Sequence, residues 1–246
     1  MIQLQNVTKT YELGKGSAVT AVLDLSLDIS PGEFVVIVGR SGSGKTTLLN
    51  LAAGLTRPTS GRVAFEGVDL QQLTDQQRSY LRNRKIGFVF QFPSLLPTLT
   101  VLENVILPTG FTSNGHSPDV LDRAEALLRN VSLSDKLAAF PRQLSAGQQQ
   151  RVVIARSLIN QPRVLLADEP TSNLDEQTEA EIIGLFRDLH ASLGLTIVLV
   201  THTNQLVSSG MRAIEMAGGR IVEASAVRAS RLGSKQAKQG RKVDPS

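Results

Sequence analysis

The sequence contains no cysteine and no long run of apolar residues. The lack of cysteine excludes disulfides, thiolate metal sites and a cysteine nucleophile. The longest apolar runs, such as Phe34 to Val38 and Ile197 to Val200, are far shorter than the roughly 20 residues that a helix needs to cross a bilayer. Any role at a membrane is therefore expected to be peripheral.

A secretory leader and internal repeats are also missing. Residues 1–5 have no basic segment followed by an apolar stretch, so we expect the protein to stay in the cytoplasm. No repeat at the spacing typical of solenoids or propellers is found. With 246 residues, 41% of them apolar, the chain can form one large domain or a domain with an inserted lobe.

The positive charge of the chain is concentrated at its C-terminal end. The net charge is +4, yet residues 226–246 alone hold six basic residues against one acid, Asp244. The part before them is therefore close to neutral, and we expect no nucleic acid as a partner. This tail has few large apolar residues and is expected to be disordered. Its charge fits a solvated run or attraction to anionic lipid.

Strand and helix patterns alternate along most of the chain, which predicts an α/β fold with a parallel sheet. The predicted strands are Ile2–Leu4, Ala21–Ile29, Glu33–Val38, Gly61–Phe65, Lys85–Phe90, Val164–Ala167 and Thr196–Val200, with a last hairpin near Ile214–Val222. The predicted helices are Lys45–Leu55, Asp75–Asn83, Ala146–Asn160 and Glu176–Ser192.

Prolines divide the chain between Gln91 and Leu144 into short pieces, unlike the alternating strands and helices of the rest. Helical patterns occupy Leu102–Leu107 and Pro118–Asn130 within this stretch. We interpret it as an inserted helical lobe.

A glycine-rich segment follows the buried strand that ends at Val38. Residues 39–46 read Gly-Arg-Ser-Gly-Ser-Gly-Lys-Thr and match the phosphate-loop pattern between a strand and a helix, the context that this pattern requires. Backbone N–H groups of such a loop converge on phosphates, the lysine reaches the β and γ groups, and the threonine hydroxyl binds magnesium. A tight turn before a helix is the alternative, but it gives Lys45 and Thr46 no role. The predicted contacts are Gly39, Ser41, Gly42, Ser43, Gly44, Lys45, Thr46 and Thr47.

Two acids follow the apolar strand Val164–Ala167. A phosphate loop needs a magnesium carboxylate on a neighbouring strand, and Asp168 supplies it. Glu169 is then placed to orient and polarise the attacking water. An ordinary acidic strand end is the alternative, and the phosphate loop elsewhere in the chain argues against it.

The segment from Leu144 to Arg151, Leu-Ser-Ala-Gly-Gln-Gln-Gln-Arg, resembles the signature sequence of ABC ATPases, and it stands upstream of the Asp168-Glu169 strand at the family's usual spacing. The resemblance covers roughly residues 1–222. It implies a P-loop NTPase (RecA-like) core with an N-terminal β-subdomain, about 1–91 and 146–225, and an inserted α-helical subdomain, about 92–145. Residues 226–246 remain as the tail.

The resemblance also implies roles by position, with ATP and Mg²⁺ as the ligands. Tyr11 would stack on adenine, Gln91 would touch magnesium together with Thr46 and Asp168, and Glu169, His202 and Gln91 would act in catalysis. Two subunits would close head to tail, so that Ser145, Gly147, Gln148 and Asp175 of one copy meet the nucleotide held by the other. His116 and His190 are interpreted as ordinary packed histidines.

Two positions depart from the family pattern. Ala146 replaces the commoner first glycine of the signature, and Thr203 replaces the aspartate that often follows the switch histidine. Alanine adds only a methyl group, so we expect activity to survive, but a positive φ at Ala146 would strain the backbone. The Thr203 change would loosen a contact between subunits.

The stretch from Leu81 to Val105 resembles the lipoprotein-releasing and macrolide-exporter branch. That branch pairs with an integral membrane permease that has an extracytoplasmic domain, and it transmits force. The chain is therefore expected on the cytoplasmic face of the inner membrane, attached indirectly. Lipoprotein, peptide, antibiotic and haem are the alternatives for the cargo. The alternative functions are a regulatory ATPase that controls a cell-wall hydrolase through a membrane partner and an ABC ATPase linked to nucleic acid.

Overall fold

The computed structural model describes residues 1–14, 17–111, 118–203 and 210–226. The strands are β1 (Ile2–Glu12), β2 (Ala18–Ile29), β3 (Phe34–Val38), β4 (Ser60–Phe65), β5 (Val68–Asp69), β6 (Ile86–Val89), β7 (Val164–Asp168), β8 (Thr196–Thr201), β9 (Arg212–Ala217) and β10 (Arg220–Ala226). The helices are α1 (Lys45–Ala52), α2 (Asp75–Lys85), α3 (Val101–Ile106), α4 (Pro118–Asn130), α5 (Ala146–Leu158) and α6 (Glu176–Leu193), with 3₁₀ turns at Leu107–Phe111 and Pro141–Gln143.

The larger sheet has six strands in the order β10-β9-β3-β8-β7-β6. Its strands run parallel except β10, which pairs antiparallel with β9. Every residue of β3, β7 and β8 is buried, since helices and a second sheet cover the two faces. The predicted α/β fold with a parallel sheet is confirmed.

A smaller antiparallel sheet, in the order β2-β1-β4-β5, is formed mainly from the N-terminal part of the chain. The prediction for its first strand was too short, because β1 continues to Glu12 through pairing with β2. The added part of β1 pairs with the start of β2 across a short turn, a contact that the alternation of Ile2–Leu4 alone could not reveal.

The parallel sheet separates two apolar cores. Along β3, Phe34 and Val36 face one core with α5 and α6, whereas Val35 and Ile37 face the other core with α1 and the smaller sheet. This alternation follows from the period of two in a strand. It fixes the sheet between two packed layers and leaves its carboxyl edge free to carry a site.

The inserted region between β6 and α5 packs against α5 through buried side chains of α3 and α4, such as Val105 and Leu128. Asn104, fully buried on α3, shapes the preceding loop. Its Nδ2 donates to the carbonyls of Leu96, Leu99 and Thr100 at 2.9 to 3.1 Å, and its Oδ1 accepts from the Leu96 N–H at 2.8 Å. One side chain thus satisfies four backbone groups.

Helix ends differ from prediction by a few residues. The structure ends α1 at Ala52, before the predicted Leu55, and ends α5 at Leu158, before the predicted Asn160. No helix in the described ranges is both long and apolar enough to span a bilayer. His116 and the predicted tail beyond Ala226 lie outside the described residues. His190 packs on Phe34 and its Nε2 lies 2.9 Å from the Gly32 carbonyl, as an ordinary packed histidine does.

Replacing Asn104 with alanine is expected to lower the free energy of unfolding by about 2 to 3 kcal/mol, because buried backbone groups lose their partner. Urea unfolding followed by circular dichroism measures the change. Gln177→Ala, at an exposed position of α6, is the control and is expected to stay within about 0.5 kcal/mol of the parent. An unchanged midpoint for Asn104→Ala would contradict the assigned role.

Candidate functional site

The glycine-rich segment forms the connection from β3 to α1, at the carboxyl edge of the parallel sheet. Gly44 has φ 100° directly before α1, in the left-handed region that favours glycine. A Cβ at this position would collide with the carbonyl oxygen of Ala21. The glycine that the motif demands is therefore required by both the backbone angle and the space.

Lys45 is buried, with 4% of its surface exposed. Its Nζ donates to the carbonyls of Gly39 at 2.8 Å and Arg40 at 3.1 Å, and it lies 3.7 Å from Oε1 of Glu169. The loop is thus folded around its own cation at the N-terminus of α1. Backbone N–H groups, a helix N-terminus and a lysine together form an anion site suited to phosphates.

Thr46 and Asp168 bring two oxygen ligands together. The Thr46 hydroxyl donates to Oδ1 of Asp168 at 3.1 Å, across from α1 to the end of β7. Hydroxyl and carboxylate oxygens are ligands that Mg²⁺ prefers. No group of three or more His, Cys, Asp or Glu suited to a metal occurs in the described part of the chain. The site therefore fits a Mg²⁺ that takes most of its ligands from phosphates and water.

Burial is the main influence on the pKa of Asp168, a residue that is 8% exposed. Desolvation raises the pKa of Asp168, the Thr46 hydroxyl opposes this, the charge of Glu169 adds to the increase, and Lys45 acts against it. The ionised carboxylate is thus held at a cost in stability. A divalent cation beside it would favour the charged form.

Glu169 follows β7 with φ 43°, one of few non-glycine residues of the described chain with positive φ. Its backbone N–H donates to the carbonyl of Val200 at 2.9 Å, which ties this turn to β8. His202 follows β8, and its Nδ1 lies 3.4 Å from Oε2 of Glu169. Glu169 therefore lies between Lys45 and His202, and its unusual backbone angle was not visible in the sequence.

The turn between β9 and β10 supports the loop from the other side. The N–H of Gly219 donates to the Ser43 carbonyl at 3.1 Å, and the N–H of Leu23 on β2 donates to the Gly219 carbonyl at 2.9 Å. Sequence reasoning missed this contribution. The only local signal is the glycine pair 218–219, which marks a turn without showing what the turn touches.

A second group of predicted nucleotide contacts lies at the N-terminus of α5. Ser145 is the exposed N-cap, and its hydroxyl accepts from the N–H of Gln148 at 3.2 Å, while the Gln148 side chain accepts from the N–H of Ser145. Gly147 is buried, and a Cβ there would collide with the methyl group of Thr178. Asp175 caps α6 through the N–H of Thr178 at 2.9 Å. Thr178 of α6 thus contacts both Gly147 and Asp175, which links the start of α5 to the start of α6.

The remaining predicted residues take separate places. Tyr11, at the end of β1, is 37% exposed, and the ammonium of Lys9 lies 4.9 Å from its ring centroid. Gln91 is exposed just after β6, and Thr47 is half-buried on α1. Ala146 is the first residue of α5 and does not have a positive φ. The backbone strain considered for this position is therefore absent. The N–H of Thr203 donates to the Thr201 hydroxyl at 3.1 Å.

A phosphate loop on a parallel sheet, a carboxylate at the end of the next strand but one and an acid beside it define the class. The chain is a P-loop nucleoside-triphosphate-binding domain with an N-terminal β-sheet and an inserted helical region.

Comparison with known proteins identifies the family. The ABC transporter family profile matches residues 22–172. The chain is 46% identical over 224 residues to the lipoprotein-releasing system ATP-binding protein LolD of Pseudomonas syringae, covering 91% of this chain and 98% of that protein. The chain belongs to the ABC transporter family, as one of its ATP-binding cassettes, and the predicted family is confirmed.

The macrolide export ATP-binding/permease protein MacB of Syntrophobacter fumaroxidans is 48% identical over 222 residues, covering 90% of this chain. The chain spans about a third of the length of the macrolide export proteins that it matches. Among solved structures, a dimeric ATP-binding cassette bound to ADP and Pi, in a post-hydrolysis state, superposes with a TM-score of 0.85 at 41% identity, covering 93% of this chain and 100% of that chain. The predicted ABC ATPase fold is thereby confirmed.

Replacing Asp168 with asparagine is expected to raise the stability of the protein by about 1 kcal/mol in buffer with EDTA, as removal of functional charges at strained sites often does. The amide keeps the acceptor for Thr46 and removes the buried charge. Thermal melting in EDTA and in excess Mg²⁺-ATP gives the measurement. Asp188→Asn, at an exposed position of α6, is the control, and a loss of stability in Asp168→Asn would contradict the argument.

Proposed function

We propose that the chain binds and hydrolyses ATP as a head-to-tail homodimer and drives a separate membrane subunit with the energy released. Each ATP would lie between the phosphate loop of one copy and the N-terminus of α5 in the other. The arrangement of predicted contacts in two groups within each chain is the observation that carries this proposal.

The two groups of residues lie on different elements of the chain. Lys45, Asp168 and Glu169 meet at the carboxyl edge of the parallel sheet, whereas Ser145 caps α5 beyond the inserted region. No hydrogen bond or ion pair within the described ranges joins Ser145 to the loop at 39–46. The N-terminus of α5 has no acidic residue in its first turn, so it presents a positive end to an anion from outside.

The chemistry assigned to the site follows from its charges. Lys45 would stabilise the γ-phosphate, and Mg²⁺ at Thr46 and Asp168 would screen the phosphate charge. Glu169 would orient a water toward the γ-phosphorus, so that an O–P bond forms as the bond to the leaving ADP oxygen breaks. His202, 57% exposed and next to Glu169, would contact the same phosphate. Gln91 would approach from the end of β6.

ATP would hold the dimer closed because its phosphates attract Lys45 of one copy and the positive N-terminal end of α5 in the other. Hydrolysis and release of phosphate remove this bridge, so the copies can part. The binding of each nucleotide between two different surfaces, one from each copy, is thus converted into relative motion.

Complementation of two defective variants tests the shared site. Lys45→Ala removes the phosphate loop's cation and Ser145→Arg blocks the end of α5, so each variant alone is expected to be inactive. An equal mixture is expected to recover roughly a quarter of the parent rate, because half of the dimers are mixed and each mixed dimer has one complete site. Phosphate release at saturating ATP measures this rate.

The matched controls place Glu169→Gln in one partner at a time. The complete site uses the loop and Glu169 of the Ser145→Arg copy, so Glu169→Gln in that copy is expected to abolish recovery. The same change in the Lys45→Ala copy is expected to leave recovery intact. A mixture that shows no more activity than its separate components would refute the head-to-tail arrangement.

A groove lies between the core and the inserted helices. It consists of two adjoining cavities of about 560 and 330 Å³, which share five lining residues: Asn83, Ile86, Phe88, Phe90 and Phe111. The rings of Tyr80, Phe90 and Phe111 are well exposed. Arg82 and Arg156 also line it, and none of the carboxylates in the described part of the chain does. The groove therefore suits an apolar segment that carries negative charge.

We propose this groove as the binding site of the membrane subunit. The proposed helical subdomain, residues 92–145, would move with that subunit as the dimer closes, while residues 1–91 and 146–225 form the core that holds ATP. We place the chain on the cytoplasmic face of the membrane, attached through a permease with an extracytoplasmic domain. The names of its relatives support lipoprotein release or macrolide export as the process that the chain drives.

Phe111→Glu is expected to weaken capture of the membrane subunit at least tenfold, because a charge replaces an exposed ring in an apolar groove. Tagged protein incubated with detergent-solubilised membranes of the source organism, followed by mass spectrometry, measures capture. Phe140→Glu, at a phenylalanine that does not line the groove and is 36% exposed, is the control. Equal capture by Phe111→Glu and the parent would refute this docking site.

A further inference from the structure

Arg156 lies near the C-terminal end of α5 and reaches across to the loop that follows β6. One guanidinium nitrogen donates to the Ser94 carbonyl at 2.7 Å and the other approaches the Ser94 hydroxyl at 3.2 Å. Burial lowers the pKa of Arg156, although a guanidinium stays charged in any case. Within the described ranges no carboxylate pairs with it. Its charge is therefore directed to a single residue of the loop.

Ser94 stands three residues after Gln91 in a stretch without regular structure. Beyond it, the N–H of Leu95 donates to the Pro93 carbonyl at 2.8 Å, and Leu96 is held by Asn104 of the inserted region. Three residues of chain span at most about 10 Å, so the position of Ser94 restricts that of Gln91. Among the hydrogen bonds of the described residues, the two from Arg156 are the ones that join Ser94 to α5.

Helix α5 extends from the capped end at Ser145 to Arg156. Eleven residues at about 1.5 Å each separate these two positions by roughly 16 Å along a continuous helix. Val152, Val153 and Ile154 between them are fully buried, so the helix is packed along its length. Ser145 and Arg156 are therefore fixed relative to each other.

The smaller cavity of the groove is lined by both Ser94 and Arg156. A segment seated there would rest against the bond between them. The hydrogen bonds between Arg156 and Ser94 therefore lie where three parts of the molecule come together. These parts are the groove, the loop that contains Gln91 and the helix capped by Ser145.

We propose that Arg156 is a positioning residue that ties the Gln91 loop to α5, so that Gln91 and Ser145 shift together when the groove is occupied. The inference rests on the proposed function in that it assigns Gln91 to the ATP site. Arg156 itself touches neither ATP nor the reacting atoms and acts through Ser94.

A fluorescent reporter tests whether Arg156 positions the Gln91 loop, and this test does not require ATP hydrolysis. The chain has no tryptophan, so Phe92→Trp, at a side chain that is 65% exposed between Gln91 and Ser94, reports only on this loop. Adding Arg156→Gln is expected to shift the emission maximum and to change acrylamide quenching by about twofold. Arg163→Gln, in an exposed ion pair with Glu66, is the matched control. Identical spectra for Arg156→Gln and the control would overturn the proposal.

A double-mutant cycle on ATP hydrolysis tests the route of action. Arg156→Gln is expected to lower kcat roughly tenfold with little change in KM, because the phosphate loop still binds ATP. In a Gln91→Ala background it is expected to have no further effect, and Arg156→Lys is expected to recover part of kcat through one remaining bond.

Additive losses in the cycle would overturn the proposal, since a merely structural role lowers kcat in both backgrounds. Thermal melting of each variant shows that it is folded, and Arg156→Met, which keeps the apolar stem and donates no hydrogen bond, replaces Arg156→Gln in both assays if the latter fails to fold. A parent protein that does not hydrolyse ATP would sink the proposed function alone, since the fluorescence of Phe92→Trp decides the tie independently.

Discussion

The geometry of this protein depends on one constraint: a buried lysine and two carboxylates must be held at the same edge of a sheet. The register of three parallel strands enforces it, because Val38 pairs with Thr201 and Val200 pairs with Asp168. All residues of these strands are buried, so a shift of register would move apolar side chains out of both cores at once. The charges at the edge are therefore fixed by packing far from them.

The sequence was most informative where a backbone or charge requirement selects one residue type. Gly44 and Lys45 fall in this group, and so does the apolar strand before Asp168. Other features depend on contacts between distant segments. The length of β1, the support of Ser43 by Gly219 and the bond from Arg156 to Ser94 join residues from six to well over 100 positions apart. Local patterns carry no record of such pairs, so they could not be predicted.

Ala146 shows a second limit of prediction from sequence, because the pattern could not tell whether this position requires a positive φ. A glycine in a family pattern can be there for its conformational freedom or for lack of space, and the two reasons have different consequences. Ala146 has ordinary helical geometry, whereas Gly147 lies against Thr178 of α6. The second glycine is thus restricted by packing, and the first position tolerates a methyl group. Only the structure separates these cases.

The contact between Gly219 and the phosphate loop affects how the protein is made. The loop leaves the ribosome early, yet the turn that supports it lies close to the C-terminal end of the described fold. A nascent chain that already displays every recognisable motif still lacks that support. In a chain that folds while it is made, we therefore expect the phosphate loop to reach its final geometry only after the turn at 218–219 has formed.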